Sequence, residues 1–395
     1  MKRRTRSAGF SLLELLVAIS IFLIIGGVTL GLFSQHQPMF NQQQNQAALN
    51  IQIRNSIMQL QTDVVNAGSG YLTATDLPSG VVGVTISNSL PTTACNTPST
   101  YTYGSTCFDT LNVINIDSTV AVAHPDSGTF ATGYATTSTD CTNTNTGSIY
   151  LFPSGTTTAA TLATEMDNAY NNNAEKELLL VNSAGTKMTT IMLTSAPTAA
   201  THNSVSSLHL AFNATTSSGW NTTANDPLNI AAYETDPPAS NSTTPNGNPL
   251  VSDGNYCSGD YVLVLQPITY SVSTATPSNP ELMRTVGGVS TVLAQQVIGF
   301  KVGAMLWDVN TTCTGDPTLA TDSPTYCYDS STDSVGYSSN WTKLRSVQVS
   351  LIGRTTPNPG ASYTFRNSFD NGPYQIEGVN VVINPRNMSM NDADY

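Results

Sequence analysis

Positive charge is scarce in this chain. Its 395 residues hold 14 Lys and Arg against 26 Asp and Glu, a formal net charge of −12. Four of those cations, Lys2, Arg3, Arg4 and Arg6, fall within the first six positions. Non-specific nucleic-acid binding rests on Lys and Arg neutralising phosphates, so no nucleic-acid partner is expected. Histidine is rarer still: His36, His124, His202 and His209 are scattered along the sequence, and His202 and His209, which flank a possible strand, are expected at the surface rather than as ligands. No HExxH, GxSxG or GxxxxGK string occurs, which removes the zinc-protease, nucleophile-elbow and phosphate-loop chemistries those spacings serve. The six cysteines form no CxxC pair. An enzyme, a resident metal and a cofactor are therefore not expected, and no catalytic residue is nominated.

What is present is concentrated at the amino end. After the basic cluster come Gly9 and Phe10, and then an apolar run to Phe33 broken by one charge, Glu14. A hydrocarbon core needs roughly 20 apolar residues as a helix, and excess Lys and Arg beside a span hold that end in the cytoplasm. The segment reads as a membrane-spanning helix with the remainder exported. A secretory signal is cut after its apolar stretch. The better cleavage point here lies before the stretch, between Gly9 and Phe10, which would keep the helix, free an amine on Phe10 and lower the net charge by four, to −16.

Glu14 sits among Leu12, Leu13, Leu15 and Leu16. A carboxylate near a helix end can reach the interface cheaply, yet an ionisable group inside a span is by default a functional site in need of a partner. The amine of Phe10 is the nearest cation. Pairing within one helix is awkward because Glu14 lies over the same turn, whereas pairing between neighbouring copies is easy and would fix their axial stagger.

Gly9, Phe10 and Glu14 in their leucine-rich context resemble the prepilin cleavage and methylation signature of type IV pilins and type II secretion pseudopilins. The resemblance implies a prepilin peptidase that cuts after Gly9 and methylates the Phe10 amine, an inner-membrane assembly platform, and assembly with other pilins through the helix and Glu14.

Beyond the span, Leu49, Ile53, Ile57, Leu60 and Val64 recur at helical steps among Gln and Asn, one apolar stripe on a polar helix. Pro38 is expected to bend or interrupt the rod, and Gly68 and Gly70 to end it. Period-two alternation marks strands at Val347, Val349 and Leu351 and at Val379, Val381 and Ile383. Leu111 to Ile116, Leu178 to Val181, Tyr261 to Leu265 and Val297 to Leu306 are further strand candidates, and 182–187 reads as a hairpin turn. The predicted fold class is α+β: a long amino-terminal helix, half transmembrane and half amphipathic, packed on an antiparallel β-sheet head with long loops. The expected divisions are a leader at 1–9, a transmembrane and assembly helix at 10–33, its amphipathic continuation at 34–68, a loop-rich β region at 69–252 and a carboxyl-terminal sheet region at 253–395. The sheet core is expected in the last of these.

An even number of cysteines in an exported chain favours disulfides. Cys313 with Cys327 and Cys95 with Cys107 suit local loop staples, which leaves Cys141 with Cys257; six cysteines allow 15 connectivities. Asp316, Asp322, Asp329 and Asp333 fit no EF-hand spacing and read as a solvated loop. The sequons at Asn213, Asn221 and Asn340 reflect composition.

A narrower resemblance runs along the chain. Asp63-Val64-Val65-Asn66-Ala67-Gly68 with Tyr71, then Asp109-Thr110-Leu111, Tyr270-Ser271-Val272, Leu282-Met283-Arg284, the 297–302 strand, Leu344 to Leu351 with Arg354, and Arg386-Asn387 are similar, in order, to minor pilins of the PilW type. Val65 stands where arginine is common, and two residues separate Gly68 from Tyr71. The resemblance implies a minor type IV pilus subunit acting in initiation or at the tip. It would be anchored in the bacterial inner membrane with a periplasmic head before joining the extracellular pilus. A minor pseudopilin of a type II secretion system and a pilus-borne adhesin are the alternatives.

Overall fold

The computed structural model describes residues 11–68, 83–87, 96–97, 100–125, 141–143, 148–172, 175–181, 188–202, 204–211, 255–257, 260–306, 344–357, 365–368 and 370–386. Gly9, Phe10, Cys95, Cys313, Cys327, the aspartates 316–333, the 182–187 turn and the three sequons lie outside them.

The chain divides into two compact units, Met1–Ile51 and Gln52–Tyr395. The first is helical throughout its described part, and the second begins with the closing turns of the same helix, α1 (Leu12–Val65, 54 residues). Pro38 does not end α1. A proline deletes one N–H bond and crowds the preceding turn at a cost of about 3 kcal/mol, a loss that a helix of this length spreads over many intact bonds.

Then follow β1 (Val84–Ser87), β2 (Asn96–Thr97), β3 (Thr102–Tyr103), β4 (Thr110–Ile116), β5 (Ala123–Pro125), β6 (Cys141–Asn143), β7 (Ser148–Pro153), α2 (Ala159–Asn172), β8 (Glu177–Val181), β9 (Met188–Met192), β10 (Thr198–His202) and β11 (Val205–Ala211). The carboxyl-terminal part adds β12 (Asn255–Cys257), β13 (Tyr261–Ser273), β14 (Glu281–Val286), β15 (Val289–Gln295), β16 (Val297–Leu306), β17 (Leu344–Arg354) and β18 (Ile376–Ile383). This is the α+β class expected, with every pairing among the described residues antiparallel.

The 13-residue β13 organises an 11-stranded sheet. Its first half pairs with β8 and β5, its second with β4 and β14. Pro267 sits inside it, opposite Ile114, where a missing N–H would ordinarily break a ladder. Ile114 directs its N–H to the Gly83 carbonyl and its carbonyl to the Gly68 N–H, so this pair exchanges no bonds and the proline is tolerated. Between β14 and β15, Gly287 and Gly288 both take positive φ, 53° and 78°, as a two-residue hairpin of the primed type requires.

The core lies across both expected halves of the head rather than in the carboxyl-terminal part alone. Leu162, Met166 and Ala169 of α2 pack with Ile149, Leu151, Leu208 and Leu210 and with Val262 and Val264 of β13. Leu179, Val181, Leu263 and Leu265 form a second cluster with Ile114. Alternate residues of β8 thus enter different clusters, and the strand is buried on both faces. Helix α2 was not anticipated, although Thr158 caps it by accepting the Thr161 N–H (3.1 Å) and its apolar residues recur at helical spacing. A separate sheet, β16–β17–β18, buries Phe300, Val302, Ala304, Val347, Val349 and Leu351. Ile383 is buried while its neighbour Val382 is 53% exposed, the alternation read from the sequence.

Candidate functional site

Two features stand out: the exposed apolar helix and a set of buried polar nodes, one of which fastens the far end of α1 into the sheet.

At the start of α1, the Ser11 N–H donates to Glu14 Oε2 (2.9 Å) and the Glu14 N–H to Ser11 Oγ (3.3 Å). This reciprocal capping box, Ser-x-x-Glu, satisfies two of the orphan donors at a helix start. Glu14 therefore has a local role that the sequence reading missed, and one visible in its three-residue spacing from Ser11. Its outward surface stays open, as Glu14 is exposed.

Leu12–Phe33 is long and apolar enough to cross a membrane, and none of that span is buried by the rest of the chain. Leu12 (81%), Phe22 (75%) and Phe33 (75%) are among its most exposed side chains. The two hydroxyls that could offend an apolar medium are spent internally, Ser20 on the Leu16 carbonyl and Thr29 on the Ile25 carbonyl, each at 2.8 Å. Such a surface needs lipid or other apolar helices around it.

The other end of α1 carries the stripe Leu49, Ile53, Ile57, Leu60 and Val64, all buried. Among them is a buried carboxylate, Asp63. Its Oδ2 accepts from Tyr270 Oη and from Arg284 Nε, each at 2.6 Å, and its Oδ1 from Gln59 Nε2 at 3.2 Å. Burial, then the hydrogen bond and charge of Asp63, push the Tyr270 phenol well above its ordinary value, with Arg284 opposing. Burial is the largest single influence on Arg284 and works against its charge, but the hydrogen bond and charge of Asp63, joined by those of Tyr270, together outweigh it and hold the guanidinium above its usual value. Gly68, at φ 67°, closes the helix and sends its N–H to the Ile114 carbonyl of β4 (2.9 Å).

A second node ties the two sheets together. Asp109, fully buried, accepts from Lys301 Nζ and from the Val302 N–H, both at 2.8 Å, while its own N–H donates to the Phe300 carbonyl at 3.0 Å. A third surrounds Arg354, 1% exposed. Its guanidinium lies over the rings of Tyr103 (5.3 Å) and Tyr374 (4.9 Å) and donates to Gln296 Oε1 and the Ser278 carbonyl, each at 2.7 Å. Burial lowers its pKa, against the pull of Tyr103 and Asp370. Both tyrosine hydroxyls donate to Asp370, and the Tyr374 ring leaves no room for a Cβ at Gly372.

These nodes collect residues that the sequence comparison had picked out singly: Asp63, Asp109, Tyr270, Arg284 and Arg354. Their partners Gln59, Lys301, Gln296, Tyr103, Tyr374 and Asp370 were not foreseen, because nothing local in sequence marks a long-range acceptor.

The remaining candidates separate clearly. Cys107 is buried and disulfide-bonded. Cys141 and Cys257 are register partners on a two-stranded ladder. His202 and His209, expected at the surface, are half-buried against Tyr150, with ring centroids at 4.0 and 4.9 Å. Strand pairing sets Tyr150 opposite His209. His124 Nδ1 lies 2.7 Å from the Asp260 carbonyl. Among the described residues, no group of three or more His, Cys, Asp or Glu could hold a metal ion.

Residues 4–30 match the family described as the prokaryotic N-terminal methylation motif. No curated protein and no solved structure matched the chain. The amino end is thus type IV pilin-like and carries the motif shared by pilins and pseudopilins. Behind it lies an apolar helix that fits membrane anchoring, and the motif implies processing by prepilin peptidase and assembly with other pilins.

Proposed function

We propose that this chain is a minor subunit of a type IV pilus, of the PilW type, processed between Gly9 and Phe10 and built into the filament through its amino-terminal helix. It acts in initiation or at the tip. The observation that carries this reading is the wholly exposed Leu12–Phe33 span directly behind the methylation motif. That span sits at the head of a helix whose last turns are locked into a large β head through Asp63.

The parts divide the work. The basic residues before Gly9 hold the amino end in the cytoplasm while the head is exported. Cleavage leaves the apolar helix in the inner membrane with an amine at Phe10. On assembly the helix exchanges lipid for neighbouring helices, and Glu14 receives the amine of an adjacent subunit, fixing the stagger. An unpaired charge there would cost roughly 3 to 5 kcal/mol, which favours the register that satisfies it. A head of more than three hundred residues is easier to place once at a tip than at every repeat along a shaft.

Deletion of the chain should sharply reduce piliation, and immunogold labelling of the head should mark filament ends. Even labelling along the shaft would sink the tip assignment, and unchanged piliation would sink the initiation role.

A further inference from the structure

We propose that Cys141 and Cys257 are joined by a disulfide that clasps β6 to β12 beside the core strands of the head. Strands β6 and β12 pair with each other as a two-stranded sheet, in the register Asn255↔Asn143, Tyr256↔Thr142 and Cys257↔Cys141. Directly opposed residues of an antiparallel pair have Cα atoms about 4.5 to 5.5 Å apart, inside the roughly 4.4 to 6.8 Å that a disulfide spans. The bond therefore needs no backbone movement.

The size of the ladder argues in the same direction. An isolated two-stranded pairing is marginal in water even when a tight turn joins the strands. Here each strand has three residues, and the chain between them passes through β7, α2 and β8 to β11. The intervening strands β7, β8 and β11 are held in the main sheet by their own pairings, but none of them pairs with β6 or β12, so those pairings add nothing to this ladder. A covalent link between the facing cysteines supplies what three residue pairs lack, by restricting the unfolded chain and so favouring the paired state.

The position gives the link a role. β6 lies between β5 and β7 in the chain, β12 leads into β13 and passes close to β5, and β5 pairs with both β7 and β13. The bond thus clasps β6 to β12 beside three core strands. Its formation is thiol–disulfide exchange with a disulfide-bearing oxidant. One cysteine thiolate attacks the oxidant's disulfide to give a mixed disulfide, and the second displaces the oxidant from it. The chain gives up two thiol protons and two electrons, and the oxidant leaves as a dithiol.

The test uses the full chain, extracted in detergent with free thiols alkylated and digested without reduction by a protease that cuts before Asp. Asp140 and Asp167 bound one peptide, 140–166, and Asp253 and Asp260 the other, 253–259. The expected product is these two peptides linked, two hydrogens lighter than their sum. Alkylated Cys141 or Cys257, or either one linked to any other cysteine, overturns the proposal. In Cys141→Ser the alkylating agent should label Cys257, and in Cys257→Ser it should label Cys141. Labelling at Cys107 in either variant counts against the pairing.

Discussion

The Nε of Arg284 lies 2.6 Å from Oδ2 of Asp63, across 221 residues of chain. Asp63 is on the last turns of α1 and Arg284 on β14, so the pair joins the rod's end to the sheet within one compact unit. Removing one member of a buried pair leaves the other charge uncompensated, a loss of about 3 kcal/mol or more. Arg284→Ala or Asp63→Ala should each lower the urea midpoint of the detergent-solubilised chain, and the double variant should lose less than the two single losses combined. Strictly additive losses would mean that the contact contributes nothing of its own.

The phenol of Tyr270 shares that oxygen, and its folded-state pKa is raised. An unfolded tyrosine ionises near pH 10. The group's contribution to stability is therefore complete below about pH 10 and is lost as the pH climbs past it, because only the unfolded chain then releases the proton. Tyr270→Phe should cost about 1 kcal/mol at neutral pH through the lost hydrogen bond, and should flatten the fall in stability between pH 9 and 11. An unchanged slope in denaturation curves across that window would contradict the assignment.

Glu14 forms the capping box with Ser11, and the proposed function gives it a second, separable role, offering a charge to a neighbour. Glutamine can serve in a capping box but carries no charge. Glu14→Gln should insert and be cleaved normally yet enter filaments poorly, as should Glu14→Val. Quantitative blotting of sheared pili against membrane fractions reads the difference. Normal incorporation of Glu14→Gln with poor incorporation of Glu14→Val would assign the effect to capping and remove the ion-pair argument.

Arg354 is held by shape as much as by charge, lying over two rings with a planar fork on Gln296 and Ser278. Lysine keeps the charge but neither the plane nor the fork. Arg354→Lys should destabilise the head by on the order of 2 kcal/mol, read as an earlier unfolding midpoint, and a wild-type midpoint would show the cage to be dispensable.

The fold class, the helix stripe and the strands with clean alternation were legible because each is written in local spacing. Val379, Val381 and Ile383 announce a face without reference to any partner, and Ile53, Ile57, Leu60 and Val64 do the same for α1. Helix α2 was legible too, through Thr158 and the spacing of Leu162, Met166 and Ala169, but it lay in polar, threonine-rich surroundings that read as loop. The capping box at Ser11 is written in the Ser-x-x-Glu spacing, but its glutamate also lies within an apolar run, where its charge is the stronger signal. What the sequence could not show is which distant groups meet. Asp63 finds Tyr270 and Arg284, and Asp109 finds Lys301, only because β13, β14 and β16 fold back past them. The core's spread over described strands on both sides of residue 253 was illegible for the same reason: β13 draws neighbours from both sides of that boundary.

The central claim is that the apolar segment from Phe10 to Phe33 is a processed, retained assembly device. Mass spectrometry of the mature amino terminus from the membrane or filament fraction tests it most directly. The account predicts a first residue of Phe10 carrying one N-methyl group, with the Leu12–Phe33 span intact. A mature chain beginning downstream of Phe33, or an uncut chain retaining Lys2 to Gly9, would contradict it.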